Sequence, residues 1–188
     1  MKPLILKEII EFSKTIGRLK KTERTGWVTW INHENPESVA DHVFRASVLG
    51  MLISDSKKMN TEKIVRMILL HDLAEAIMGD WDYFAKKKLG KEKFKQREEE
   101  AIEKILSLLP KELNKKYFKL WHEFLENSSK EAKLARQIDK IEMMLQVLEY
   151  EKEGYDKERL KGFWEHHEKD FTDKDLKKIF ELIKKERS

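Results

Sequence analysis

The chain has no cysteine, and only 3 prolines and 7 glycines in 188 residues. Without cysteine there are no disulfides, no thiolate nucleophile and no sulfur-ligated zinc or iron–sulfur site, so a bound metal must be held by nitrogen and oxygen. The shortage of Pro and Gly removes the usual turn formers and argues against a strand-and-turn architecture. Long apolar runs are also missing: none approaches the roughly 18 to 20 residues that a spanning helix needs, and no apolar segment with a small-residue cleavage site opens the chain. A cytoplasmic protein with no membrane partner is expected. Nor does either charge dominate. The 39 basic and 35 acidic residues are interspersed, and the net +4 suits a small anionic substrate without calling for a nucleic-acid groove.

What is present is helical periodicity in a chain long enough for one full core. The expectation is an all-α, single-domain protein over residues 1–188, with its central part at about 37–150 and terminal helices packed on it. A first helix is predicted over Leu4–Leu19, with Leu6, Ile9, Ile10 and Ile16 as its apolar face. Residues 20–37 lose periodicity and read as a long connection carrying Arg24, Trp27 and Trp30. A second helix starts at Glu37 or Ser38, where Val39, His42, Ala46, Leu49 and Ile53 form one stripe. A third follows Thr61 as N-cap and is expected to run through His71 and Asp72 to Gly79.

Trp81–Gly90 reads as irregular or a short helix. Helices are predicted over Glu92–Leu109, over Lys111–Asn127 with Leu113, Tyr117, Leu120, Trp121 and Phe124 buried, and over Lys130–Glu153. Two more close the chain, Asp156–Lys169 and Thr172–Lys185, the latter with Thr172 as N-cap. His166 and His167 are expected to be exposed. Apolar terminal helices and exposed aromatics around Trp121 and Trp164 point to a homodimer.

Four ionisable residues break the apolar stripes. His71 takes a position where Ile64, Met67 and Ile68 predict another aliphatic side chain, and Asp72 and Glu75 follow within one turn. His42 sits on the stripe of its own helix. Asp139 lies beside the stripe of Leu134, Ile138, Ile141 and Leu145, with Arg136 and Lys140 on other parts of the helix surface. An unpaired carboxylate or imidazole is expensive to bury. One divalent cation held by His42, His71, Asp72 and Asp139 would satisfy all four together, and a two-nitrogen, two-oxygen set suits Mn, Co, Ni, Fe, Zn or Mg.

The order His42, His71-Asp72, Asp139 resembles the H…HD…D signature of the HD-domain metal-dependent phosphohydrolases. The runs Glu37-Ser38-Val39-Ala40-Asp41-His42, His71-Asp72-x-x-Glu75-x-x-x-Gly79-Asp80 and Lys133-x-x-x-Gln137-x-Asp139-Lys140 are similar to those of the small single-domain 5′-deoxynucleotidase group. Arg24-Thr25-Gly26-Trp27, Glu98-Glu99-Glu100-Ala101 and Leu108-Leu109-Pro110 extend the likeness over most of the chain. The resemblance implies a helical HD-domain fold, metal ligation by the same four residues, a catalytic Glu75 that activates water, Asp80 at the substrate, and a phosphate contact from Arg24. Some members carry Trp directly after that Arg. Here Thr25 follows, and Trp27 comes three residues after Arg24 as the candidate wall of a sugar or base pocket. The implied activity is hydrolysis of the 5′-phosphate of deoxynucleoside monophosphates, small nucleotides rather than nucleic acid. The alternatives are an HD-type hydrolase of a triphosphate or pyrophosphate bond, or a helical nucleotide-binding module without turnover.

Overall fold

A computed structural model describes residues 3–187 and the side chains of residues 6–187. Positions 1, 2 and 188 of the expected domain lie outside the described residues. The elements are α1 (Pro3–Ile16), α2 (Thr25–Ile31), α3 (Val39–Ser56), α4 (Thr61–His71), α5 (Glu75–Met78), α6 (Tyr83–Leu89), α7 (Lys91–Leu106), α8 (Lys111–Leu125), α9 (Lys130–Lys152), α10 (Lys157–His167) and α11 (Lys174–Lys185), with short 3₁₀ turns at Gly17–Lys21 and Glu168–Asp170. Among the described residues the one β-type pairing is an isolated bridge between Glu23 and Ser38. The chain is all-α.

α9 is the axis of the fold. Ile138, Ile141, Met144 and Val147 on it are 1% exposed or less, and they pack with Ala46 of α3, Ile64, Met67 and Ile68 of α4, and Leu160, Trp164 and Phe180 of the C-terminal helices. A second cluster joins Ile102, Ile105 and Leu106 of α7 to Val39, Val43, Leu70 and Trp121. Each such side chain contributes about 1.5–3 kcal/mol by leaving water, which fixes α3, α4 and α9 as neighbours. The polar residues of interest lie where these helices meet.

Several local expectations are corrected. α4 is capped by Asn60, whose side chain accepts from the Lys63 amide, while the Thr61 hydroxyl donates to Asp55; α11 is capped by Asp173 rather than Thr172. Adjacent residues competed for each cap, and the carboxamide or carboxylate won. Residues 20–37 are not one open connection, because α2 forms inside them. Their ends are tied by Arg24 N–H to Glu37 O at 3.1 Å and Val39 N–H to Thr22 O at 2.8 Å.

On α1, Leu6, Ile9 and Ile10 are 50%, 42% and 53% exposed; Phe12 and Ile16 make the contacts with the second cluster. Leu113 is also exposed. Trp121 is buried at 1%, as its helical stripe predicts, and Trp164 is buried at 2%, so neither supplies the exposed aromatic surface expected around them. Their indoles bond inward, Trp121 to the His71 carbonyl and Trp164 to Glu151.

Candidate metal centre and active site

α4 ends at His71, not at Gly79. Asp72 follows as its C-cap, and the next bonds are of the i to i+3 kind: Leu73 N–H to Leu70 O, Glu75 N–H to Asp72 O, and Ala76 N–H to Leu73 O. Residues three apart eclipse in such a tightened turn, so Asp72 and Glu75 share a side more closely than an α-helix would place them. Gly79 then reverses the chain at φ 74°, a conformation that costs a glycine little, and delivers Asp80 back toward the same region. On α3, the reciprocal Ser38–Asp41 capping box starts the helix one turn before His42. α9 brings Asp139 from the opposite side.

Four donor atoms from these elements converge. His42 Nε2 lies 3.1 Å from Asp139 Oδ1 and 3.7 Å from Asp72 Oδ2; His71 Nε2 lies 3.1 Å from Asp72 Oδ2 and 3.6 Å from Asp139 Oδ1. Both imidazoles present Nε2 because Nδ1 is occupied. His71 Nδ1 donates to the Ile68 carbonyl at 2.6 Å, and His42 Nδ1 is held by the buried Glu142 carboxylate. Arg45 donates to the other Glu142 oxygen at 2.8 Å.

The residues fit a divalent cation. His42 Nε2 is fully buried and makes no hydrogen bond among the described residues, so it has a lone pair facing two carboxylates and nothing to use it. His42, His71 and Asp72 each offer an atom within 4.8 Å of the others. Glu37, His42 and Glu142 are equally close, but there the carboxylates are already engaged by Trp27, Arg45 and His42 Nδ1, which makes that group a hydrogen-bond network.

The electrostatics agree. Burial alone would raise Asp72 and Asp139, yet His71 and Arg24 hold Asp72 well below the usual carboxylate range, and Lys140 with both imidazoles does the same for Asp139. Glu75 goes the other way. Burial first, then the negative charges of Asp72 and Asp80, push its carboxyl well above the usual value, and its buried Oε2 has no partner among the described residues.

A cavity of about 320 Å³ opens over this cluster and is lined by Arg24, His71, Asp72, Glu75, Asp80 and Asp139 among others. Arg24 Nη1 lies 3.3 Å from Asp72 Oδ2. Asp80 Oδ2 accepts from the Thr25 amide at 2.6 Å while its carbonyl accepts from the Thr25 hydroxyl, so Asp80 clamps the start of α2 and hence the position of Arg24. Trp27 reaches the cavity wall but is only 2% exposed, with its indole N–H on Glu37. Seven of the eight residues singled out from the sequence line this cavity, and the eighth, His42, is fully buried behind Asp72 and Asp139.

Other residues emerge only here. Lys140 pairs with Asp139 at 3.0 Å, against the expectation that it faces elsewhere. His167, expected to be exposed, lines the cavity and bonds to Asp170 at 2.7 Å. Glu142 had a legible signal, since it falls three residues after Asp139 on a stripe of aliphatic side chains.

The HD domain family profile matches residues 16–180. The chain is 38% identical over 182 residues to the 5′-deoxynucleotidase HDDC2 of Homo sapiens, covering 97% of this chain and 87% of that protein. It is 39% identical over 168 residues to the 5′-deoxynucleotidase HDDC2 of Dictyostelium discoideum, covering 83% and 86%. A crystal structure of a Pyrococcus horikoshii protein superposes with a TM-score of 0.77 at 30% identity, covering 95% of this chain and 98% of that one.

Proposed function

Because this chain belongs to the HD domain family, we propose that it hydrolyses the 5′-phosphate ester of deoxynucleoside monophosphates in a metal-dependent reaction. The observation that carries the proposal is the convergence of His42 Nε2, His71 Nε2, Asp72 Oδ2 and Asp139 Oδ1, beside a partnerless Glu75 and the Arg24 guanidinium.

In this reading the four residues hold one divalent ion, of the set Mn, Co, Ni, Fe, Zn or Mg. When bound, that ion supplies a Lewis acid for the phosphoryl oxygens and lowers the pKa of a water molecule. The residues do the rest. Arg24 neutralises the negative charge of the phosphate, a role that develops its value as charge grows in the transition state. Glu75, kept more basic than a solvated glutamate, takes the proton from the attacking water. The water oxygen bonds to phosphorus, the bond from phosphorus to the 5′-oxygen breaks, and the proton held by Glu75 passes to that oxygen, giving deoxynucleoside and phosphate and restoring the Glu75 carboxylate. Asp80 keeps Arg24 in place through the Thr25 amide. Lys140 holds Asp139 and adds positive charge to the rim.

The finer reading of assembly is a homodimer in the cytoplasm. No helix among the described residues is long and apolar enough to cross a membrane. The outer side of α3 carries Phe44, Val48, Met51 and Leu52 at 71%, 44%, 50% and 62% exposure, spaced as one stripe opposite its buried side.

The test is phosphate release from deoxy- and ribonucleoside 5′-mono- and triphosphates by metal-stripped protein resupplied with each metal, beside Asp72→Ala. Metal-restored turnover of deoxynucleoside monophosphates, lost in the variant, is expected. Preference for triphosphates would overturn the substrate assignment. No phosphate with any metal would overturn the enzyme reading.

A further inference from the structure

The cavity over Arg24 and Asp72 continues past the charged residues into aromatic surface. Trp30, Tyr83, Phe163 and His167 line both this cavity and a second one of about 290 Å³ beside it, so the two spaces are joined along a wall of four rings. The far space is walled further by Gly162, where a Cβ would meet only the Trp30 ring and His166 Nδ1, both at 3.8 Å, and by His166 itself.

These rings hold one another in place. Trp30 stacks on Phe84 with centroids 5.3 Å apart and meets Phe163 edge-to-face at 5.5 Å; Phe163 lies 6.3 Å from the His167 ring. Trp30 and Phe163 rest against the core on one side and stay partly open on the other. Tyr83 and Phe84 remain 62% and 54% exposed at the entrance. Phosphate chemistry at Arg24, Glu75 and Asp72 uses none of these rings, so open aromatic surface beside a charged site needs a ligand with a π-face. The spacing is right for one molecule to use both ends. Arg24 stands at the start of α2 and Trp30 six residues later, about 9 Å along the axis, the scale of a nucleoside monophosphate from phosphorus to the far edge of its base.

We propose that the slot between Trp30, Phe163, Tyr83 and His167 binds the nucleobase of the substrate by stacking, with the 5′-phosphate at Arg24. This rests on the phosphohydrolase reading of the charged end. Stacking on ring faces works for every base, so the slot gives affinity with little choice among bases. Because a base far from the reacting phosphorus is held equally in ground and transition states, its loss raises KM and leaves kcat alone.

The experiment compares the metal-loaded full chain with Trp30→Ala, Phe163→Ala and the surface variant Tyr83→Ala, using Trp30→Phe as the conservative control. Steady-state kinetics are measured with a deoxynucleoside 5′-monophosphate and with deoxyribose 5-phosphate, which lacks the base. Binding of the free deoxynucleoside, which lacks the phosphate, is followed by titration calorimetry. Expected is a KM increase of roughly 5- to 100-fold for the nucleotide in the alanine variants, an unchanged KM for deoxyribose 5-phosphate, weaker deoxynucleoside binding, and recovery in Trp30→Phe. Equal effects on both substrates, or deoxynucleoside binding untouched by all three alanine variants, would overturn the slot. If the wild-type protein turned over neither ester yet bound the deoxynucleoside through Trp30 and Tyr83, the slot would stand and the phosphohydrolase reading would fall.

Discussion

The Glu142 carboxylate sits on Nδ1 of His42, with both side chains fully buried, and Arg45 grips its other oxygen from the surface of α3. Arg45 also bonds Gln146 and Glu149, so one guanidinium stitches α3 to α9 along a whole face. The consequence is a fixed tautomer: His42 can offer only Nε2 to the site. Glu142→Gln keeps the volume but can present an amide N–H to that nitrogen. Metal affinity, measured by calorimetric titration of stripped protein, is expected to fall about 10- to 100-fold with the fold intact by circular dichroism. Unchanged affinity would mean that Glu142 only supports packing.

Glu75→Gln removes the base without removing a donor to the cation. It is expected to lower kcat by about 10²–10⁴ while metal content, read by elemental analysis, and nucleotide binding stay near wild type. A variant that retains full turnover would sink the assignment of Glu75.

Arg24 faces Asp72 through one nitrogen and the cavity with the rest of its guanidinium. Lys keeps the charge but not the planar fork. Arg24→Lys is expected to reduce kcat/KM for the monophosphate by about 10²–10³, and Asp80→Asn, which disturbs the Thr25 clamp, by less. Equal activity in Arg24→Lys would leave this residue as a partner of Asp72 alone.

Asp173 caps α11 and takes Lys57 at 3.0 Å. Burial opposes ionisation there, but the Lys57 ammonium and the Leu176 and Asp175 amides outweigh it and hold the carboxyl below its usual value. A depressed folded-state value means stabilisation that is present above the unfolded value of about 3.9 and fades as pH falls through the lower folded value. Asp173→Ala is expected to cost about 1 kcal/mol at pH 7, and the Tm gap to wild type should close as the pH drops below about 4. A gap that persists in acid would assign the loss to packing.

Phe44→Glu places a charge on the exposed stripe of α3. Light scattering at micromolar concentration is expected to report a dimer for the native chain and a monomer for the variant, with metal content unchanged. A native monomer would remove the assembly proposal.

The fold class was legible because period 3.6 recurs in nearly every segment, and the four convergent residues were legible because His42 and His71 break apolar stripes, Asp139 lies on the apolar side of its helix and Asp72 follows His71 directly. Such a break is visible without coordinates: burying His42 or Asp139 is unfavourable unless something compensates. Local competition was not legible. Whether Asn60 or Thr61 caps α4 depends on a shift of one residue, and the end of α4 at His71 depends on i to i+3 bonds that a four-residue spacing cannot distinguish from a continuing helix.

Nor could periodicity say which apolar faces find partners. Leu6, Ile9 and Ile10 share the predicted face of Ile16, yet of these only Ile16 meets the core, together with Phe12, and Trp164 is the reverse case. The sequence alone determined that this is a helical protein with two imidazoles and two carboxylates that must meet a cation or each other. Only the tertiary structure decided that Glu142 stands behind His42, that Asp80 clamps the Arg24 loop, and that α10 brings Phe163 and His167 beside Trp30. Those relations join residues from 55 to more than 100 positions apart, and contacts of that span arise from how whole helix faces pack, which no local pattern encodes.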